Sequence, residues 1–337
     1  MAKKPESGHE DIDYLVVSAR IRARESKLLN RNRMEQILEA TGDDEVERVL
    51  QECGYSLPES SDPEVINKAL ADIQKEMLRT LLSSIPDTRF LDVFRIKYDY
   101  HNAKALLKSK INGRNVDGML IAMGRTDVQE LRDAFRRNDY ILLPDTLAQA
   151  IAEAGDVLSA KDDPQLCDII MDRYMFTEMY DIALATHSAM LMNYVSIQID
   201  VMNLRAVVRT LRMKKNADFL ENILVEGGSV PVEDLMDAVS SGGEISALYE
   251  NSTLGDAAEA GHKALEGGSL TEFERLCDDS VNEFIYDMQL YPFGEAALIC
   301  YLTELETEFV NLRVLLLGRK AGLDPESLRQ RLRITNM

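Results

Sequence analysis

Two carboxylates, Glu304 and Glu308, stand one helical turn apart late in the chain. Side chains at this spacing share a helix face, and such a pair can hold a cation or divide acid and base roles. No histidine or further acid falls in register with them, so the pair reads as solvated or as bonded to another helix. The four histidines are His9, His101, His187 and His262. His9 falls in a polar tail and His262 in a glycine-rich region, and His101 and His187 read as structural. The chain has no phosphate-binding GxxxxGK[ST], no dinucleotide GxGxxG and no GxSxG nucleophile elbow. Cys53, Cys167, Cys277 and Cys300 are scattered, with no CxxC pair or His/Cys cluster at metal-ligand spacing. They read as buried or incidental thiols of a reducing compartment. No catalytic, cofactor or metal residue is assigned.

One short phrase of chemistry-bearing residues occurs three times. Asp99, Asn102 and Lys104 precede Ala105-Leu106-Leu107. Asp200, Asn203 and Arg205 precede Ala206-Val207-Val208. Glu308, Asn311 and Arg313 precede Val314-Leu315-Leu316. Each copy reads acid, two residues, Asn, one residue, base, then an apolar triplet. The asparagines lie 101 and 108 residues apart, a near-constant period that signals internal repetition. A glycine follows the Asn at one distance in two copies, as Gly113 and Gly322, whereas the second copy runs on to Gly227-Gly228. On a helix the acid and the Asn share a face, while the acid and the base diverge by about 140°. The expectation is that each acid meets an Asn or a base from a neighbouring copy, in a three-fold arrangement of repeats. The bland alternative is solvated polar groups on helices.

The elements that carry these phrases are helices. In the third copy Leu298, Leu302, Leu305, Phe309, Leu312 and Leu316 alternate four and three apart and line one face. Pro292-Phe293-Gly294-Glu295 reads as the turn that launches this helix, and Ala321-Gly322 as its stop. Asp324-Pro325 starts a further helix. Asp62-Pro63 and Asp162-Asp163-Pro164 read as caps of two long helices, the second running with a break near Asn193 into the second phrase. Residues 240–268, rich in Gly, Ser and Glu, read as surface loops and small helices. Met171, Met175, Met179, Met190, Met192 and Met202 suit an irregular core or an adaptable contact surface. Strand-like alternation is nearly absent, so the predicted fold is all-α. The division drawn from the phrases is a disordered tail, 1–11, and three similar helical units, 12–115, 116–228 and 229–337.

With 337 residues and 45% apolar content the chain can bury a sizeable core. A net charge of −20 argues against a nucleic-acid partner, which needs a basic surface. The most apolar window, Ile182 to Met192, is interrupted by Thr186, His187 and Ser188 and is too short to span a bilayer.

The run Tyr291-Pro292-Phe293-Gly294, Tyr301-Leu302, Glu304, Glu306, Glu308, Asn311-Leu312-Arg313, Gly318-Arg319-Lys320 and Gly322 resembles the C-terminal signature of the C subunits of V/A-type ATPases, the counterparts of the d subunit of eukaryotic V-ATPase. Ile199-Asp200, Asn203-Leu204 and Arg209 resemble the same family, as do Tyr14, Arg20-Ile21-Arg22, Glu25 and Leu28-Leu29. The likeness runs over most of the chain and departs mainly at 240–268 and in the Met-rich middle. It implies three similar helical units around a pseudo-three-fold axis, forming a funnel or socket. It also implies a non-catalytic central-stalk adaptor that receives shaft subunits of D and F type, caps the membrane rotor ring of proteolipid subunits, and passes torque for proton or sodium transport. Its place would be cytoplasmic and peripheral to the membrane, with no cofactor. Two alternatives remain open: a helical scaffold for another protein, and an all-α enzyme with a deep pocket at His101 or at Glu304 and Glu308.

Overall fold

The computed structural model describes residues 11–58, 60, 62–161, 164–213, 217–291 and 293–333. Their regular structure is helical throughout, and no strand occurs among them, in agreement with the all-α expectation. In chain order the helices are α1 (Leu15–Glu25), α2 (Arg31–Glu39), α3 (Asp43–Glu52), α4 (Pro63–Leu82), α5 (Arg89–Asn112), α6 (Val128–Arg137), α7 (Asp145–Lys161) and α8 (Pro164–Thr186). They continue as α9 (Ala189–Arg212), α10 (Ala217–Glu221), α11 (Val232–Ser241), α12 (Ile245–Leu248), α13 (Gly255–Leu265), α14 (Leu270–Met288), α15 (Gly294–Lys320) and α16 (Pro325–Arg329). Of the predicted tail, residues 1–10 lie outside the described residues, and Asp11 opens a 3-10 turn into α1. Pro292 and the Asp162-Asp163 cap also lie outside them.

The described chain forms two compact units. Arg89–Asp287 is one, and the other joins His9–Thr88 to Met288–Met337. The second unit joins two distant segments because α15 packs on helices from early in the chain, α1, α2 and α4.

Helix α15 is the centre of the joined unit. All six side chains of its predicted stripe are buried. Each contributes on the order of 2 kcal/mol of transfer free energy. Ala296, Cys300, Tyr301, Glu304, Glu308, Asn311 and Leu315 are buried as well, so the helix is covered on more than its apolar face. Its start is fixed by Gly294, whose φ of 78° suits glycine and whose N–H donates to Ser18 Oγ. Its end is Gly322, at φ 76°, followed by Asp324, which accepts from the Ser327 N–H as N-cap of α16.

In Arg89–Asp287, α5 packs with α7 and α8, and α9 packs with α8 and α13. The predicted break near Asn193 falls earlier. His187 turns left-handed at φ 58°, and Ser188 caps α9 by accepting from the Leu191 N–H. Ser188 offers a capping hydroxyl there, while Asn193 lies inside α9.

The glycine-rich region holds the expected small helices, α12 and α13, but α13 is packed inside rather than at the surface. Helix α13 buries Ala257, Ala258, Ala260, Gly261 and Ala264. A Cβ on Gly261 would sit 2.9 Å from Val208 Cγ2 and 3.1 Å from Phe273 Cε2. The small residues bring α13 close against α9 and α14. Cys53, Cys167, Cys277 and Cys300 are free and buried.

Candidate functional site

Each phrase asparagine grips the backbone N–H and carbonyl of one residue. The Asn102 carboxamide accepts from the Ile121 N–H and donates to the Ile121 carbonyl, both at 2.8 Å. Asn203 accepts from the Val225 N–H at 2.9 Å and donates to its carbonyl at 2.7 Å. Asn311 does the same to Arg333, at 2.9 and 3.0 Å. A carboxamide carries one acceptor and one donor side, so it imitates a neighbouring strand residue and holds a loop against a helix.

The acid one turn earlier grips the same loop further on. Asp99 accepts from the N–H groups of Arg125 and Thr126, at 3.2 and 3.0 Å. Asp200 accepts from those of Ser229 and Val230, at 2.9 and 3.3 Å, and from the Ser229 hydroxyl. The partners lie four and five residues past the residue held by the asparagine in both copies. Glycine makes the approach possible. A Cβ on Gly124 would stand 2.0 Å from Asp99 Oδ1, and one on Gly228 would stand 2.4 Å from Asp200 Oδ1.

Each loop then starts a short helix. Thr126 precedes the N-cap Asp127 of α6, and Val230 precedes the N-cap Pro231 of α11. Both helices end in a left-handed residue, Asn138 and Gly242. In the third copy the acid is Glu308, and its Oε1 accepts at 2.7 Å from the N–H of Leu29. Leu29 precedes Asn30, the N-cap of α2. The early segment 29–39 therefore holds the place that loop and short helix hold in the other two copies. Helix α2 lacks a left-handed end, and Arg319 of α15 donates instead to the carbonyls of Ile37, Leu38 and Ala40.

The acids therefore bind backbone amides, where the sequence pattern paired them with an Asn or base of a neighbouring copy. A buried carboxylate needs several short donors, and consecutive N–H groups supply them. The bases point elsewhere. Lys104 meets Asp172 at 2.5 Å, and Arg205 meets Glu274 and Asp278, each at 2.8 Å. These tie the phrase helix to α8 and to α14. Arg313 donates to Phe309 O within its own helix.

Burial sets the electrostatics. It pushes Asp99 and Asp200 above the usual carboxylate range, against the pull of their amide donors. Arg125 also faces Asp99 at 3.1 Å and Glu178 at 2.7 Å, while Tyr100 donates to Glu178. Burial pushes Glu308 up to about 7, with the Tyr55 hydroxyl, the Leu29 amide and Arg33 pulling down and Glu304 pushing further up.

The chemistry considered for an enzyme does not assemble around these groups. His101 is exposed and faces the Met119 carbonyl at 3.0 Å. His187 is the left-handed residue between α8 and α9. Glu304 and Glu308 are buried rather than solvated. A cavity of about 450 Å³ touches Asp43, Tyr55 and Arg319, and one of about 550 Å³ touches Met175, Met202 and Arg205. Neither is lined by His101, Glu304 or Glu308.

A family model described as ATP synthase (C/AC39) subunit matches residues 17–331. The chain is 26% identical over 326 residues to the C subunit of the V-type sodium ATPase of Enterococcus hirae, covering 96% of this chain and 98% of that one. It is 24% identical to the C subunit of the A-type ATP synthase of Methanocaldococcus jannaschii, over 94% of this chain and 85% of the other. It is also 24% identical to the C subunit of the V-type ATP synthase of Thermus thermophilus, over 92% and 94%. With nearly its whole length matched, the chain belongs to the C/AC39 family, the structural, non-catalytic C subunits of V/A-type rotary ATPases.

Proposed function

We propose that the chain is the central-stalk adaptor of its ATPase, joining the rotating shaft to the membrane rotor ring and transmitting torque for ATP-coupled proton or sodium transport. The observation that carries this reading is the family match over residues 17–331. The seats that Asp99 with Asn102 and Asp200 with Asn203 make for their loops support it: an adaptor under torque needs a body that does not shear, and buried two-point grips on packed helices resist shear. The same reading takes the copies as three similar units around a pseudo-three-fold axis, shaped as a funnel or socket. The shaft subunits of D and F type enter that socket, and the proteolipid ring lies beneath. The protein works on the cytoplasmic side, peripheral to the membrane, and no helix of the described residues is long and apolar enough to cross one. Ile12, Leu15, Val16, Leu290, Tyr291 and Phe293 are exposed apolar side chains of the unit built on α15, as suits a protein covered by neighbours in its complex.

The test is assembly. The purified chain is mixed with the purified shaft subunits of the same ATPase, alone and with the detergent-solubilised ring, and followed by size exclusion with light scattering. A stable 1:1 complex with the shaft, extended by the ring, is expected. Failure of both mixtures with all components folded would overturn the adaptor reading in favour of a scaffold for another protein.

A further inference from the structure

Two of the three seats close on one continuous strap. Ile121 to Thr126 and Val225 to Val230 are six-residue runs, held by the asparagine at one end and by the acid at the other. If one grip loosens, the other keeps the strap in place. The third seat divides its grips. Asn311 holds Arg333, 22 residues on, while Glu308 holds Leu29, 279 residues away in sequence. No six-residue run connects the two held residues, so the two backbone grips are not coupled through a short strap.

We propose that the third seat is a closure joint, in which residues 29–52, carrying α2 and α3, form a detachable strap on α15. This strap opens and recloses while the corresponding straps of Arg89–Asp287 stay shut. Its closed state is held by apolar contact through Met34, Ile37, Leu38, Val46, Val49 and Leu50, all buried. Polar grips from α15 and α16 fasten it at the edge: Arg319 on three carbonyls, Lys320 on Asp43 at 2.7 Å, and Arg329 on Glu35 at 2.8 Å. The two ion pairs are part-exposed, with side-chain exposures of 31% and 75% for Lys320–Asp43, so salt screens them. The buried polar grips are the Glu308 carboxyl on the Leu29 amide and a weak contact of Asn311 Nδ2 to Met34 Sδ at 3.5 Å. Around Glu308 stand Tyr55 and Cys53 from the strap side, Arg33 of α2, and Glu304 and Tyr301 of α15. Arg33 is the cation among these groups, and ionisation of Glu308 near neutral pH places a charge in this buried seat. The joint would exist whether or not the protein is the stalk adaptor.

Hydrogen exchange of the intact wild-type chain tests it, read by mass spectrometry on peptides covering 29–52, 121–137 and 225–241. After correction for intrinsic rates, 29–52 is expected to exchange at least about tenfold faster than both others, while α15 stays protected. Raising salt from about 0.05 to about 0.5 M, or pH from about 6 to about 8, is expected to widen that gap. Glu308→Gln is expected to remove the pH effect and leave the salt effect. Equal protection of the three straps would overturn the proposal, and so would exchange of 29–52 in step with α4 and α15. Should the variant fail to fold, the wild-type comparison still decides.

Discussion

The seat at Asp200 and Asn203 and the seat at Glu308 and Asn311 use the same side-chain geometry on different chain connections. In the first, the held residue Val225 is buried and the strap runs straight on into α11. In the second, the held residue Arg333 is exposed, and the strap arrives from the start of the chain. The acid differs too: Asp200 reaches three donors on one run, whereas Glu308, one methylene longer, takes its donors from separate places, the Leu29 amide and the Tyr55 hydroxyl. The difference teaches that a repeat can keep its hydrogen-bond pattern while its connectivity is cut, because the pattern needs backbone groups in place, not any order of joining.

The largest break in this comparison should come from the asparagines. Asn203→Ala strands a buried N–H and a buried carbonyl at Val225, costing about 4 kcal/mol at about 1–3 kcal/mol per stranded group. Asn311→Ala frees groups that water can reach at Arg333, and should cost about 1 kcal/mol. Denaturant unfolding of the two variants measures the gap, and equal costs would dissolve the distinction between the seats.

The acid of the third seat should show itself through pH. Glu308 holds its proton to about pH 7 in the folded chain, against an ordinary value of 4.5. Between those values the folded state binds more protons than the unfolded one, so stability falls as pH rises through this window and levels off above it. The shift corresponds to about 3 kcal/mol, and the difference between wild type and Glu308→Gln across the window isolates it.

Gly228→Ala would drive a methyl into Asp200 and lift the strap, at about 2 kcal/mol. Gly322→Ala has open space but a left-handed φ, and should cost about 1 kcal/mol. Reversal of that order in thermal melts would show that strap approach is not tight.

The smallest effect concerns the helix ends. Arg319→Ala removes three carbonyl grips on α2 and should cost about 1 kcal/mol, while Lys110→Ala removes one exposed contact to Asn138 and should cost under about 0.5 kcal/mol. Melts of the two variants side by side check this.

The seat residues on the helices are legible in the sequence because they share residue type and spacing. The straps are not, because Ile121, Val225 and Arg333 serve through the backbone, which every residue has. Gly124 and Gly228 are the available signal, each four residues before the first residue of a short helix, although in sequence Gly228 reads only as punctuation. The same habit of reading glycine as surface hides the burial of α13, where Ala and Gly serve close helix approach. Helix starts at Asp62 and Asp324 are readable because a side chain does the capping. The link from Leu29 to Glu308 has no such mark.

The separation of 279 residues between Leu29 and Glu308 also orders events on the ribosome. At about 5–20 residues per second, Leu29 is made roughly 15–60 s before its carboxyl partner. The apolar sides of α1, α2 and α4 are complete for most of that interval while α15, the helix that covers them, does not yet exist. Helices α1, α2 and α4 are thus made early and seated late, and the nascent chain must keep them from sticking elsewhere until α15 emerges.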